Sequence, residues 1–178
     1  FGKSLMSAVT SLTGNTRTIH LVFFPRIIFP TTAMLANIVV SIMSSLVVIP
    51  IILAYGFPFG IHLLMIPLSL FLAGLLGIGF GMIFAPLNCI QKDVEHLFKF
   101  IVRAGFFVSP VMWTYEMAMD RGVYGEVVLW NPMVVPITMA RHGLMGKWID
   151  MPIGWVWYCL SMAALLWVIG NIIFHRYE

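Results

Sequence analysis

Ile61–Leu87 reads IHLLMIPLSLFLAGLLGIGFGMIFAPL. It carries no Lys, Arg, Asp or Glu, and the charge-free run around it extends from Ile27 to Gln91. About 20 consecutive apolar residues suffice to cross the hydrocarbon of a bilayer as a helix, so this stretch predicts a membrane span. Working outwards, Thr31–Tyr55 and Ile153–Phe174 are equally long and apolar, and Leu97–Trp113 is a shorter fourth candidate. The whole chain agrees. Of its 178 residues, 61% are hydrophobic and only 10% charged, with a mean hydropathy of +0.98, whereas soluble domains carry about 25% charged residues. The expected fold is all-α and polytopic, with lipid replacing water around much of the surface.

Within the quoted span, GLLGIGFG places Gly77 and Gly81 four residues apart, on one helix face. No strand precedes it, so a phosphate loop is excluded and close helix packing is the expected use. GKS at Gly2–Ser4 mimics the end of a nucleotide-binding loop, but the first Asp is Asp93 and no strand ends in an acidic residue that would hold Mg²⁺. Cys89 and Cys159 lack a CxxC spacing and read as small hydrophobes without a disulfide. The net charge of +3 is too diffuse for a nucleic-acid footprint.

Charges crowd only in NCIQKDVEHLFKF, Asn88–Phe100. Lys92, His96, Lys99 and Arg103 recur at i, i+4, i+7 and i+11, one stripe of a helix. Arg103 lies about 9 Å further along the axis than Leu97 at 1.5 Å per residue, where a lipid-facing arginine costs about 2.5–3.5 kcal/mol at mid-membrane. Two uses suit the stripe: membrane anchoring with Arg103 snorkelling, or lining a portal for an anionic headgroup or polymer. Asp93 and Glu95, two apart, point in different directions on a helix, so no metal site with His96 is expected. No titratable groups converge inside the spans, Ser109 lacks a G-x-S-x-G context, and no catalytic residue is expected.

Between Thr114 and Asp150 the chain is too short to cross twice, yet VVLWNPMVVPITMARHGLMG (Val127–Gly146) is apolar enough to dip into the bilayer. Re-entrant or interfacial helices hinged at Asn131–Pro132 are expected, and irregular backbone at membrane depth requires burial in protein or a water-filled cavity. Placing Thr10–Arg26, Asn88–Arg103 and the tail in the cytoplasm puts Arg17, Arg26, Lys92, Lys99, Arg103 and Arg176 inside, against Arg121, Arg141 and Lys147 outside, as the positive-inside rule requires. Trp148, Trp155 and Trp157 suit an outer interfacial belt, while Phe106, Phe107 and Trp113 suit either core packing or stacking on sugar rings.

Three motifs in order, GNTRTIHLVFFPRIIFP, QKDVEHLFKFIVRAGFFVSPVMW and LWNPMVVPITMARHGLMG, resemble the permease subunits of ABC-2 type exporters for cell-surface polysaccharides, a family that includes O-antigen and teichoic acid export permeases. The resemblance covers nearly all of the chain but only the later part of the family pattern, so a fragment lacking the N-terminal spans is expected. It implies the following layout: 1–12 the end of a span, 13–30 a cytoplasmic coupling segment, 31–55 and 61–87 spans, 88–96 a cytoplasmic loop, 97–113 a span, 114–150 outer gate helices, 151–174 a span and 175–178 a tail. It also implies a second copy of the chain, and a separate ATPase subunit that carries ATP and Mg, with no cofactor in this chain. The implied setting is the bacterial cytoplasmic membrane. ATPase coupling then falls on Gly14, Asn15, Arg17, His20, Asp93 and Glu95. The substrate portal and tunnel fall on Lys92, Lys99, Arg103, Phe106, Phe107 and Trp113, and the outer gate on Ser109, Pro110, Asn131 and Pro132. The implied cargo is a lipid-linked anionic glycan. SPVMW and GKW lean towards teichoic acid, with O-antigen or galactan export, or an ABC-2 drug or lipid exporter, as alternatives.

Overall fold

The computed structural model describes residues 1–15, 27–56, 60–120 and 122–177. Among them all regular structure is helical: α1 (Gly2–Val9), α2 (Ser11–Gly14), α3 (Ile28–Ser45), α4 (Val48–Ala54), a 3₁₀ turn (Ile61–Leu64), α5 (Met65–Ile90), α6 (Asp93–Val108), α7 (Tyr115–Met119), α8 (Val123–Leu129), α9 (Val134–Leu144) and α10 (Ile153–Tyr177). Three stretches are long and apolar enough to cross a membrane: Ile28–Ala54, Ile61–Ile90 and Ile153–Arg176, of 27, 30 and 24 residues. The protein is an all-α, polytopic membrane protein.

Prolines set the local interruptions. Pro30 lies in the first turn of α3, where its missing N–H would have no intrahelical partner anyway. Pro50 cannot donate to the carbonyl of Leu46, and there α3 gives way to α4 through tightened i→i+3 bonds, Val47 to Ser44 at 3.3 Å and Ile49 to Leu46 at 3.1 Å. Pro110 disfavours the α conformation at Ser109, so α6 stops at Val108 after 16 residues and Ser109–Trp113 runs as turns and bends.

The chain divides into two compact units. The first comprises Phe1–Val39, Gly74–Val102 and Met162–Glu178. Its centre is α5, whose glycines let three neighbours approach. A Cβ on Gly77 would sit 2.9 Å from the Phe1 carbonyl oxygen, one on Gly81 would overlap the Ala8 Cβ, and one on Gly79 would lie 2.8 Å from the Leu166 Cβ. Gly74 meets Ile38 at 3.0 Å. The close packing expected of Gly77 and Gly81 is therefore made against α1, and the same glycine run also seats α3 and α10. Leu5, Val9 and Phe98 form the buried cluster, flanked by Phe80, Phe84, Val94 and Val102. The Phe84 and Phe98 rings lie 4.6 Å apart. Outward, α3 shows Leu35 and Val39, and α10 shows Leu165, Val168 and Ile172. Such apolar outer faces are what lipid would cover.

The second unit comprises Val40–Ala73 and Arg103–Ser161. Gly122, at φ 59°, starts α8 so that it folds back on α7, and Gly125 lies against the Ala118 backbone with no room for a Cβ. α9 crosses the 3₁₀ turn, where a Cβ on Gly143 would lie 2.9 Å from the His62 carbonyl. Trp130, Trp155 and Tyr158 pack edge to face, and the Tyr158 hydroxyl donates to the Trp130 carbonyl at 2.9 Å.

Candidate functional site

Helix α6 has three faces, each set by its residue spacing. Val94, Phe98 and Val102, four apart, turn inwards to the core of the first unit. Lys92, just before the helix, together with His96, Lys99 and Arg103, makes an exposed basic stripe. Leu97, Ile101, Ala104 and Val108 repeat the same i, i+4, i+7, i+11 spacing on the other flank, also exposed. Phe107, at 67% exposure, lies between the two flanks and meets the Phe106 ring edge to face at 5.6 Å. By the division into units, Lys92, His96 and Lys99 belong to the first unit, and Arg103, Phe106 and Phe107 to the second.

The start of α6 is fixed from a distance. Asn88, 1% exposed near the end of α5, accepts the Glu95 backbone N–H at 3.1 Å through Oδ1. Its Nδ2 donates to the Val9 carbonyl at 3.2 Å and to the Thr13 hydroxyl at 3.4 Å. One amide side chain thus caps α6 and ties it to α1 and α2. Asp93 and Glu95 occupy the first turn of α6, where the helix dipole favours negative charge. Glu95 also takes a hydrogen bond from Lys99 Nζ at 2.6 Å. That bond, with the cationic neighbours Lys99 and His96, holds the Glu95 carboxyl below its ordinary range. Among the described residues no group of His, Cys, Asp and Glu gathers as metal ligands. Of the other residues assigned to coupling, Gly14 and Asn15 end α2 and are exposed, while Arg17 and His20 lie outside the described residues.

In the second unit the turn after α6 is held by side chains from elsewhere. Asn131 Nδ2 donates to the Ser109 hydroxyl at 3.4 Å, and its Oδ1 accepts the Met133 N–H at 3.0 Å. Pro110 is fully buried, and the Pro132 carbonyl accepts the Cys159 thiol at 3.3 Å. The four residues assigned to a gate therefore fall into three contacts: Ser109 with Asn131 across the turn, Pro132 against α10, and Pro110 with Arg141. The strongest clamp was not foreseen. Arg141 on α9 donates to the carbonyls of Pro110 (2.9 Å), Trp113 (3.1 Å) and Val111 (3.4 Å). Trp113 lines a cavity of about 600 Å³ with Met112, Met117, Asp120 and Val128. A lone arginine in the otherwise apolar run VVPITMARHGLM was the signal available in the sequence. For Asn88 it was an amide at the end of a span, five residues before an acidic helix start at Asp93.

Comparison with known proteins follows the helical layout. Over 181 aligned residues, covering 99% of this chain and 67% of the relative, the chain is 23% identical to the O-antigen export system permease protein RfbA of Klebsiella pneumoniae. A second Klebsiella pneumoniae protein of that name matches with the same identity and coverage. One from Myxococcus xanthus is 21% identical over 142 residues, 78% of this chain and 53% of that protein. No protein-family model matches. With three membrane-length apolar helices, the chain is thus similar along nearly its whole length to O-antigen export permeases.

Proposed function

We propose that the chain is the membrane-spanning permease subunit of an ATP-driven exporter that carries a lipid-linked cell-surface polysaccharide of O-antigen type across the bacterial cytoplasmic membrane. The observation that carries this reading is the match to O-antigen export permeases across 99% of the chain. The three apolar helices and the amphipathic α6 agree with it. In this reading a separate ATPase subunit supplies the energy and docks near Gly14–Asn15 and the Asp93–Glu95 turn. A second copy of the chain completes the pathway. The basic stripe Lys92, Lys99 and Arg103 meets the pyrophosphate of the lipid carrier at the inner leaflet, and guanidinium and ammonium groups suit phosphate oxygens. Phe106, Phe107 and Trp113 then offer flat faces to sugar rings, and the Ser109–Asn131 turn sits in the outer gate. Teichoic acid, favoured by SPVMW and GKW, has no relative beside it among these matches, whereas three relatives carry the O-antigen name.

The test is a reconstituted complex of the chain with its ATPase in liposomes. ATP turnover is measured with and without a polyprenyl-pyrophosphate-linked glycan, for the native chain and for Lys99→Ala and Arg103→Ala. The expected result is a turnover that responds to the glycan in the native complex, with a reduced ratio of stimulated to unstimulated rate in both variants. A native complex that ignores the glycan defeats the export reading. Variants that respond like the native chain reduce the stripe to a membrane anchor.

A further inference from the structure

The second unit contains a smaller and more polar cavity than the one beside Trp113. It is about 240 Å³ in volume and is lined by Thr114–Glu116, by one face of α9 and by the segment after it that carries Lys147, Trp148 and Asp150. One lining residue holds an unexplained group. Thr138 is 2% exposed, yet its hydroxyl has no hydrogen-bond partner among the described residues. A buried hydroxyl without a partner costs stability, and the residue that carries it lines the cavity.

We propose that this cavity binds one neutral sugar ring of the glycan, a proposal that rests on the export reading above. The sugar class follows from the lining. A threonine hydroxyl both donates and accepts, so its natural complement is another hydroxyl. Glu116 and Asp150 offer carboxylate oxygens that accept from vicinal sugar hydroxyls. Against these two acids stand Arg141 and Lys147, so the cavity has no excess of positive charge and is not built for a phosphate. The Arg141 fork is in any case engaged by the carbonyls of Pro110, Val111 and Trp113. His142 Nδ1 accepts the Asp150 backbone N–H at 3.2 Å, which holds the carboxylate-bearing segment beside α9. The flat surface is supplied by Trp148, 62% exposed and steadied by an edge contact with His62 at 4.8 Å. Drug-sized ligands occupy about 300–1,000 Å³, so this cavity is sized for a single ring rather than a stretch of polymer.

The experiment uses the full chain in nanodiscs. Methyl glycosides of a hexose, a deoxyhexose and an N-acetylhexosamine, and a trisaccharide of each, are titrated by saturation-transfer NMR and calorimetry. The expected result is saturable binding of at least one class, weakened about tenfold, the loss of one good hydrogen bond, by each of Thr138→Val, Asp150→Asn and Glu116→Gln. Thr138→Val preserves shape, and a native-like melting curve shows that the fold is kept. Binding of the glycoside and trisaccharide alike marks a site for any ring, whereas binding of the trisaccharide alone marks one for a linked residue, and either supports the proposal. The proposal is overturned if no glycoside or trisaccharide binds saturably, or if all three variants bind as the native chain does. Surface polysaccharide in cells lacking the chain is scored separately. The export reading thus stands or falls on that result, whatever the glycosides do.

Discussion

Replacing Asn88 by alanine should loosen the first unit at a predictable place and by a predictable amount. The amide side chain is 1% exposed and closes three hydrogen bonds, to the Glu95 N–H, the Val9 carbonyl and the Thr13 hydroxyl. Alanine removes a helix cap, typically worth about 1 kcal/mol, and strands a buried carbonyl, which costs about 1–3 kcal/mol. Discounting the longer bond to Thr13, the expected loss is about 2–4 kcal/mol. For a chain of this size each kcal/mol lowers the melting temperature by about 2–4 °C, so the purified protein should melt about 4–16 °C lower. Amide hydrogen exchange gives the sharper assay, because among the described residues one backbone N–H, that of Glu95, depends on the Asn88 oxygen. The peptide containing Glu95 should exchange faster in Asn88→Ala, whereas Asn88→Asp keeps the acceptor and should spare that amide while still losing the bond to Val9. If melting shifts by less than a degree and the Glu95 amide keeps its protection in Asn88→Ala, the account of how α6 is anchored is wrong.

Other consequences follow from the same contacts. Gly81→Ala places a methyl group on Ala8 and should destabilise by about 1–3 kcal/mol through overpacking; Gly105→Ala, which meets nothing within 4 Å, should instead stabilise α6 by up to about 1 kcal/mol, both read from melting curves. Arg141→Lys keeps the charge but not the fork, so protease sensitivity at Pro110–Trp113 should rise almost as much as in Arg141→Ala. The Glu95 carboxyl is held low by the hydrogen bond from Lys99. Its stabilisation is therefore present above the ordinary carboxylate range and fades as pH falls through the depressed value. At this exposed pair it amounts to about 0.2–0.5 kcal/mol, and Glu95→Gln should remove that part of the acid dependence from a melting series.

What the sequence determined by itself is everything that rests on neighbours along the chain. The apolar runs Ile28–Ala54, Ile61–Ile90 and Ile153–Arg176 announce membrane helices because a helix satisfies its own backbone and only its side chains must suit lipid. The basic stripe of α6 was legible for the same reason, since residues three and four apart share a side whatever surrounds them, and so was the packing use of Gly77 and Gly81. Tertiary structure alone decided which partners those faces meet. Asn88 finds Val9 at a separation of 79 residues, and Arg141 finds carbonyls 28 to 31 residues away. Every residue has a carbonyl, so nothing in the identities of Pro110, Val111 or Trp113 marks them as acceptors for a distant guanidinium. The cavity above Thr138 was hidden likewise: a hydroxyl is recognised as lacking a partner only once every neighbouring segment has been placed around it.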